Sequence, residues 1–429
     1  MKPNQYSSSF QMKNDMLNIS DVPVDQIVKK YGSPVYIYDA ETIRSKYHTL
    51  RAALPDSIEI FYAMKPNPTV AIVELLQSEG CGLEIASIGE LNVCKAVNAD
   101  PTNIVFAGPA KTDAEITEAI KTDIRAIHAE SISELHRINQ IAKQLGAKAK
   151  VGLRINTEFQ IKASVLQMGG SSQKFGIDEA QMHTAIKTSL MLSNIDLIGI
   201  HVYSATGIVS TEEFLLNVRK SFEVAAKANE LFPVKSIDFG GGYGIPYDGG
   251  DQIDLDKLGA SLEKLIDEFP FISTNNAKLI TEPGRYLVAE SGIYVTKVLD
   301  KKNSLETTQL VCDGGIHQFL RSTLIGSQHP ICNLTRTTDE STVFQVGGPL
   351  CTPLDYLDQN CKLPSDTEIG DLVGVFLAGA YGYTASMQLF LSHDLPAEVL
   401  VNHGKAQLIR KPLTMDTLLK DQPRLGEIS

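Results

Sequence analysis

The sequence predicts an α/β fold in which a closed (β/α)8 barrel of TIM type is followed by a mainly β domain. Three observations lead there. Eight strand-like apolar runs alternate with amphipathic helical patterns up to Pro283. Beyond Pro283 short strands continue with hardly any helical spacing between them, and 429 residues are too many for one ordinary domain. Strands that alternate with helices form a parallel sheet, and their number favours closure over the alternative, a doubly wound open sheet.

The N-terminal stretch Met1–Ser9 is polar, lacks an apolar export core, and reads as the loose arm of a cytoplasmic protein. Val22–Tyr31 follows as a short helix and Pro34–Asp39 as a strand that joins the β domain. The barrel strands are expected at Ile58–Lys65, Gly82–Ser87, Asn103–Gly108, Ala126–Glu130, Lys150–Asn156, Leu197–Ser204, Ser236–Gly242 and Lys278–Pro283. Helices are expected between them at Thr69–Glu79, Ile88–Asn98, Asp113–Thr122, Ser131–Leu145, Asp178–Leu192, Thr211–Leu231 and Leu255–Phe269. Two carry start signals, Thr112-Asp113 ahead of Glu115 and Ser131 with Ser133 ahead of Glu134. Later strands fall at Ser291–Val298, Gln309–Cys312, Ser341–Val346, Leu372–Leu377 and Val399–Asn402, and Lys301–Glu306 and Arg336–Glu340 read as polar hairpin loops. The expected division is an arm and strand over 1–38, the barrel over 39–285 and a β domain over 286–429. No solenoid repeat or low-complexity linker interrupts it.

With 43% hydrophobic and 21% charged residues, the composition is that of a soluble globular protein. No run of eighteen apolar residues offers a membrane span. A net charge of -12 disfavours nucleic acid and anionic membrane as partners. The six cysteines form no CxxC pair, so they read as reduced thiols and not as a zinc site or redox dithiol. The histidines include no HxH pair, and His201, His317 and His393 stand alone, so no metal is expected.

In a closed barrel the chemistry gathers at the carboxyl ends of the strands. These strands would bring there Lys65, Glu84, Arg154, His201 with Ser204, the turn Gly240-Gly241-Gly242, and Glu282 with Arg285. Lys65 ends the apolar run Phe61-Tyr62-Ala63-Met64, just where Pro66 and Pro68 stop the ladder. An amine so delivered into a pocket is desolvated, loses its proton more readily and can act as a Schiff-base nucleophile. Read from this octet alone, a solvated turn lysine is the plainer account. Asp238–Gly244 forms a glycine-rich turn after a strand, able to offer backbone N–H groups to an anion. It lacks both the GxGxxG spacing and the GKS ending of nucleotide loops, which leaves a phosphate site or a bare tight turn. A lysine for an imine, a phosphate turn and an acid for a ring nitrogen together suggest pyridoxal 5'-phosphate (PLP).

Phe61-Tyr62-Ala63-Met64-Lys65, Gly241-Gly242-Tyr243-Gly244, Glu282-Pro283-Gly284-Arg285, Gly348-Pro349-Leu350-Cys351 and Gly379-Ala380-Tyr381-Gly382 resemble, in order, the motifs of the alanine-racemase-fold decarboxylases, the diaminopimelate and ornithine decarboxylase family. The resemblance runs from about Val35 to Leu400. It implies that Lys65 joins the cofactor through an imine, that His201 stacks on the pyridine ring and that Glu282 pairs with the ring nitrogen. It also implies phosphate contacts from Ser204, Gly240, Gly241, Gly242, Arg285 and Tyr381, with Arg154 and Glu84 supporting the histidine and cofactor. Cys351 matches the cysteine that family members send across a homodimer interface to return a proton to Cα. The plainer reading of a free cysteine is a buried, inert thiol.

The residue after that cysteine departs from the family. Diaminopimelate decarboxylases place a glutamate there and ornithine decarboxylases an aspartate, each reading the far amino group; here it is Thr352. A buried ammonium without its acid is costly, so free diamino acids are disfavoured unless Asp355 turns inward. The Cys-Thr-Pro form, with Gly108–Asp113, Asp313–Gln318 and Ala380–Tyr383 through Phe390–His393, resembles a natural-product branch of the family acting on conjugated amino acids. Citryl-diaminopropionate in siderophore biosynthesis and a glutamyl group on a carrier protein are its implied substrates, which makes a carrier protein a candidate partner. Arg321 lies where the family holds an arginine for a distal carboxylate, and otherwise reads as a surface cation. With Arg285, Thr352 and Tyr381 it completes the expected substrate contacts. The alternatives are a meso-diaminopimelate decarboxylase of lysine biosynthesis and, in another class, a non-catalytic PLP-binding or regulatory homologue.

Overall fold

The computed structural model describes residues 7–159, 166–167, 173–247, 249–326 and 328–425; most of the expected arm, residues 1–6, lies outside them. The chain divides into two compact units. One comprises Lys46–Pro246 and Gly250–Leu287, the other Met1–Ser45, Tyr247–Gly249 and Val288–Ser429.

The first unit is the closed barrel. Its parallel strands are β1 (Ile58–Ala63), β2 (Gly82–Ile85), β3 (Ile104–Phe106), β4 (Ala126–Ala129), β5 (Ala149–Asn156), β6 (Ile195–Val202), β7 (Ser236–Asp238) and β8 (Lys278–Thr281). Each pairs with the next, and β8 pairs back onto β1 with Leu279 opposite Ile58, which closes the ring and leaves no open edge. Every strand but β5, which ends at Asn156 as expected, is shorter at its carboxyl end than its apolar run suggests, because the chain leaves the ladder to form the mouth loops. β1, for example, stops at Ala63, and Lys65 sits in a turn closed by Asn67 N–H donating to Met64 O at 2.8 Å.

The helices between the strands begin where the sequence signals them. Thr112 and Glu115 form a reciprocal capping box, and Ser131 Oγ accepts the Glu134 N–H at 3.0 Å. Ser133 does not cap; it hydrogen-bonds Ser131 instead. Inside the barrel Phe61, Val105, Ala126 and Ile280 pack as one buried cluster, and deleting a ring as large as Phe61 would cost about 3–5 kcal/mol. Close packing also selects two glycines: a Cβ on Gly199 would stand 2.0 Å from Ser236 O, and one on Gly152 would stand 2.7 Å from the His128 ring.

The second unit is built on a mixed sheet. Its strands run Tyr356–Pro364, Ser341–Gly347, Thr307–Cys312, Gly292–Ser304, Val35–Asp39, Ala397–Asn402 and Lys405–Arg410, with Leu372–Phe376 bridging Gly292–Ser304 to Ile331–Asn333. Val35–Asp39 is fully buried between an antiparallel neighbour, Gly292–Ser304, and a parallel one, Ala397–Asn402. Two loop expectations need correction. Lys301–Ser304 belongs to a strand paired with Thr307–Cys312, so the hairpin turn shrinks to Leu305-Glu306; Arg336–Glu340 is a loop but joins strands that do not pair with each other. The polarity of Lys301–Ser304 marks a solvent-facing hairpin, which polar residues tolerate.

Several elements have no counterpart in the expectation, among them the strands Ile331–Asn333, Tyr356–Pro364 and Lys405–Arg410. Phe10–Lys13 and Met16–Ile19 form a hairpin that Val22–Pro23 extends. Ala40–Ala53 is a helix that follows Val35–Asp39 without a loop, because the Asp39 carboxylate accepts both the N–H and the O–H of Thr42 and so caps the helix directly.

Candidate active site

Within the barrel unit, Lys65, Glu84, Arg154, His201, Ser204, Gly240–Gly242 and Glu282 lie on the carboxyl ends of the strands or the turns that follow them, and Arg285 opens the short helix Arg285–Val288 just beyond β8. Strand register sets their order around the mouth: Ala63 is opposite Glu84, and His201 has Arg154 on one side and Asp238 on the other.

Lys65 Nζ stands 3.1 Å from Glu84 Oε2 and 5.5 Å from the centre of the Tyr203 ring. Its side chain is 39% exposed, so the amine reaches an open mouth and is not the desolvated group the apolar run suggests. Glu84 is the buried partner. Burial pushes its carboxyl up to about 7 although Lys65 opposes the rise. A carboxyl of that pKa beside an amine can exchange a proton with it near neutral pH.

Opposite, His201 and Glu282 are both buried, with His201 Nε2 3.6 Å from Glu282 Oε2, an electrostatic contact too long for a hydrogen bond. Burial drives the His201 imidazole toward its neutral form against the pull of Glu282. Burial also works against a charge on Glu282, but His201, Lys65 and Asp238 outweigh it and hold the carboxyl well below its usual range.

Three groups that the sequence reading passed over complete this wall. His128 packs its ring 4.4 Å from that of His201, in space that Gly152 leaves free. Asp238, fully buried, accepts the Gly240 N–H at 2.9 Å. One polar atom from each of His128, His201, Asp238 and Glu282 lies within 4.8 Å of the others, which corrects the reading of His201 as solitary. Lys111 is the third. Its ammonium donates to Gly108 O at 2.7 Å and His128 O at 2.8 Å and meets Glu134 at 3.1 Å, while Arg154 pairs with Glu130 at 2.8 Å. A lone polar residue inside the apolar strand Ala126–Ala129 was the available signal for His128, and the position of Asp238 directly before the glycines was the signal for the acid.

The glycine turn is held tightly. Gly240 and Gly242 have φ of 70° and 93°, and a Cβ on Gly241 would stand 2.1 Å from Glu282 O. Ser204 Oγ lies 3.4 Å from Thr157 Oγ1.

Arg321, Cys351, Thr352 and Tyr381 belong to the second unit. Arg321 is half-buried and its guanidinium stacks near the rings of Tyr247 and Tyr381 at 5.2 and 5.4 Å, so it is an ordered group and not a loose surface cation. Of the six cysteines only Cys351 is exposed. Asp355, four residues on, is turned inward and buried, but its two oxygens accept the N–H groups of Ile316 at 2.8 Å and Leu350 at 2.7 Å. His317 and His393, read as solitary, lie with ring centres 4.8 Å apart.

PLP fits the barrel mouth. The group needs an amine, a ring-nitrogen partner and donors for a phosphate. Lys65 supplies an accessible amine, and both ring nitrogens of His201 and one oxygen of Glu282 are buried without hydrogen-bond partners among the described residues. Such atoms call for a ligand to complete them.

Comparison with known proteins agrees. The model for the pyridoxal-binding domain of pyridoxal-dependent decarboxylases matches residues 40–289. The chain is 31% identical to L-glutamyl-[BtrI acyl-carrier protein] decarboxylase of Niallia circulans over 417 residues, 95% of this chain and 97% of that one. It is 29% identical to diaminopimelate decarboxylase of Aquifex aeolicus over 418 residues, covering 97% and 98% of the two chains. A crystal structure of diaminopimelate decarboxylase from Methanocaldococcus jannaschii matches with a TM-score of 0.91 at 29% identity, covering 99% of this chain and 100% of that one. These relatives are catalysts, which tells against the non-catalytic readings. The chain belongs to the pyridoxal-dependent decarboxylases and is a PLP-dependent enzyme that decarboxylates an amino acid.

Proposed function

We propose that this decarboxylase acts on an amino acid already joined to a larger group, of the citryl-diaminopropionate kind or carried on a protein, in siderophore or other secondary metabolism. The observation that carries the reading is the state of the Cys351 loop. Thr352 follows the cysteine, and the nearest acid, Asp355, has both oxygens occupied by backbone N–H groups of its own unit. A free diamino acid would find no carboxylate there for its distal ammonium. The name of the Niallia circulans relative, a carrier-protein glutamyl decarboxylase, supports the same class of substrate. The similar identity of diaminopimelate decarboxylases, 29% for that of Aquifex aeolicus, favours meso-diaminopimelate as the second reading.

In the chemistry, PLP when bound supplies an electron sink for the pair left on Cα as CO₂ departs. Lys65 holds the cofactor, and Glu84 takes the proton that its amine must release to become nucleophilic. Glu282, kept ionised, would pair with the ring nitrogen of the bound cofactor and favour its protonated state. Neutral His201 would cover the ring of the bound cofactor, and the glycine turn with Ser204 and Arg285 would hold its phosphate. Arg154 braces the histidine side through Glu130, and Arg321 clamps a distal carboxylate of the substrate. Cys351 returns a proton to Cα of the other subunit in a homodimer. Leu354, three residues after it, is an apolar side chain 64% exposed and suits burial against a second copy.

The test is to incubate PLP-loaded protein with free amino acids, citryl-diaminopropionate and a glutamyl-loaded carrier protein, recording CO₂ and product mass. Turnover confined to the conjugates is expected. Turnover of meso-diaminopimelate alone would replace this reading with the second.

A further inference from the structure

The wall that carries Glu282 contains a second carboxyl which the proposed chemistry leaves without a task. Asp238 ends β7, locked by register between His201 on β6 and Ile280 on β8, and is fully buried. Its Oδ1 accepts the Gly240 N–H at 2.9 Å; the Gly240 carbonyl in turn accepts the Glu282 N–H at 2.9 Å and the Thr281 hydroxyl at 2.9 Å. Asp238 thus joins the glycine turn to the segment that presents Glu282.

Its other oxygen, Oδ2, is buried and has no partner among the described residues, and the same holds for Glu282 Oε1. Carboxylate oxygens of the two residues lie within 4.8 Å of each other in a water-poor wall. Two bare acceptors so placed repel each other unless one carries a proton, because like charges at that distance in a low dielectric cannot both be sustained. We propose that Asp238 is a neutral acid at working pH, donating from Oδ2–H to the Glu282 carboxylate, and that it is a positioning residue which fixes both Glu282 and the Gly240 turn.

The surroundings decide which of the pair holds the proton. Asp238 faces Glu282 and, further off, Glu84, and pairs with no cation among the described residues; burial and these two acids push its carboxyl well above the usual range. Glu282 faces His201 and the Lys65 ammonium as well as Asp238, and is held in the opposite direction. His128, its imidazole kept neutral by burial, closes the cluster from β4. The pair therefore titrates as a unit with the proton on Asp238. A protonated acid here leaves one Glu282 oxygen bound and the carboxylate oriented, so the second oxygen can face a ligand. The inference rests on the proposed pairing of Glu282 with the ring nitrogen only for its consequence, not for the position of the proton.

An asparagine has the shape of the neutral acid: its amide N–H₂ can donate to Glu282 while its oxygen accepts from Gly240. The experiment compares the full-length protein with Asp238→Asn and Asp238→Ala. Infrared difference spectra of cofactor-free protein at neutral pH, with ¹³C-labelled aspartate, should show a carboxylic-acid C=O band in the parent that is missing from Asp238→Asn. PLP affinity, read by absorbance on titration, should stay within about threefold in Asp238→Asn and weaken about tenfold or more in Asp238→Ala. Absence of the acid band, or equal damage from Asn and Ala, overturns the proposal; the infrared arm uses the parent fold and so survives a misfolding alanine variant. A Glu282→Gln variant separates the underlying reading. If it binds PLP and decarboxylates as the parent does, the ring-nitrogen role of Glu282 fails, while the band still decides the state of Asp238.

Discussion

The carboxylate of Asp355 accepts the backbone N–H of Leu350 at 2.7 Å, so the acid nearest Cys351 in sequence is occupied in shaping the loop that carries the thiol. Asp355→Asn replaces one acceptor oxygen by a donor facing a backbone N–H. The expected result is a stability loss of about 1–3 kcal/mol in urea unfolding and a lower kcat, with the ranking of free diamino acids unchanged. A shift in that ranking would instead show Asp355 reading a substrate ammonium.

Glu84 makes stability depend on pH. Its folded pKa, about 7, lies above its ordinary value of 4.5, so folding takes up a proton between those values. The stability this contributes is complete below about 4.5 and is lost as pH rises through 7. Glu84→Gln cannot titrate. The unfolding free energy of the cofactor-free parent minus that of the variant should therefore fall across this window by up to about 3 kcal/mol. A flat difference would contradict the assignment.

Gly241→Ala puts a Cβ 2.1 Å from Glu282 O, against backbone that cannot rotate aside. The turn must shift, at roughly 1–3 kcal/mol, and PLP affinity should drop together with stability. An alanine variant with parental melting and PLP titration would show the turn to be looser than its packing indicates.

Lys111, in the loop after β3, ties Gly108 O of that loop to His128 O of β4 and to Glu134 in the helix after β4. Lys111→Met leaves the buried Glu134 carboxylate without its countercharge, at about 3–5 kcal/mol. Urea denaturation measures this directly, and a loss under 1 kcal/mol would mean that the network is wetter than its burial suggests.

Cys351→Ala removes the proposed proton donor but no cofactor contact. Turnover should fall roughly a hundredfold or more while PLP absorbance is retained. Parental turnover would move the protonation to another group.

By itself the sequence determined the barrel's strands and most of its helices, because each is written in a local period and bounded by local caps such as Thr112 with Glu115. It also determined which residues reach the mouth, since a parallel strand delivers its last residues to one end. It could not show that Val35–Asp39 pairs with Gly292–Ser304 and Ala397–Asn402, nor that Gly152 makes room for His128 beside His201. Only the tertiary structure decided these, and with them the meeting of Asp238 and Glu282 and the locking of Asp355. Each joins residues far apart in the chain, and the cost of burying a charge depends on neighbours that no local pattern records.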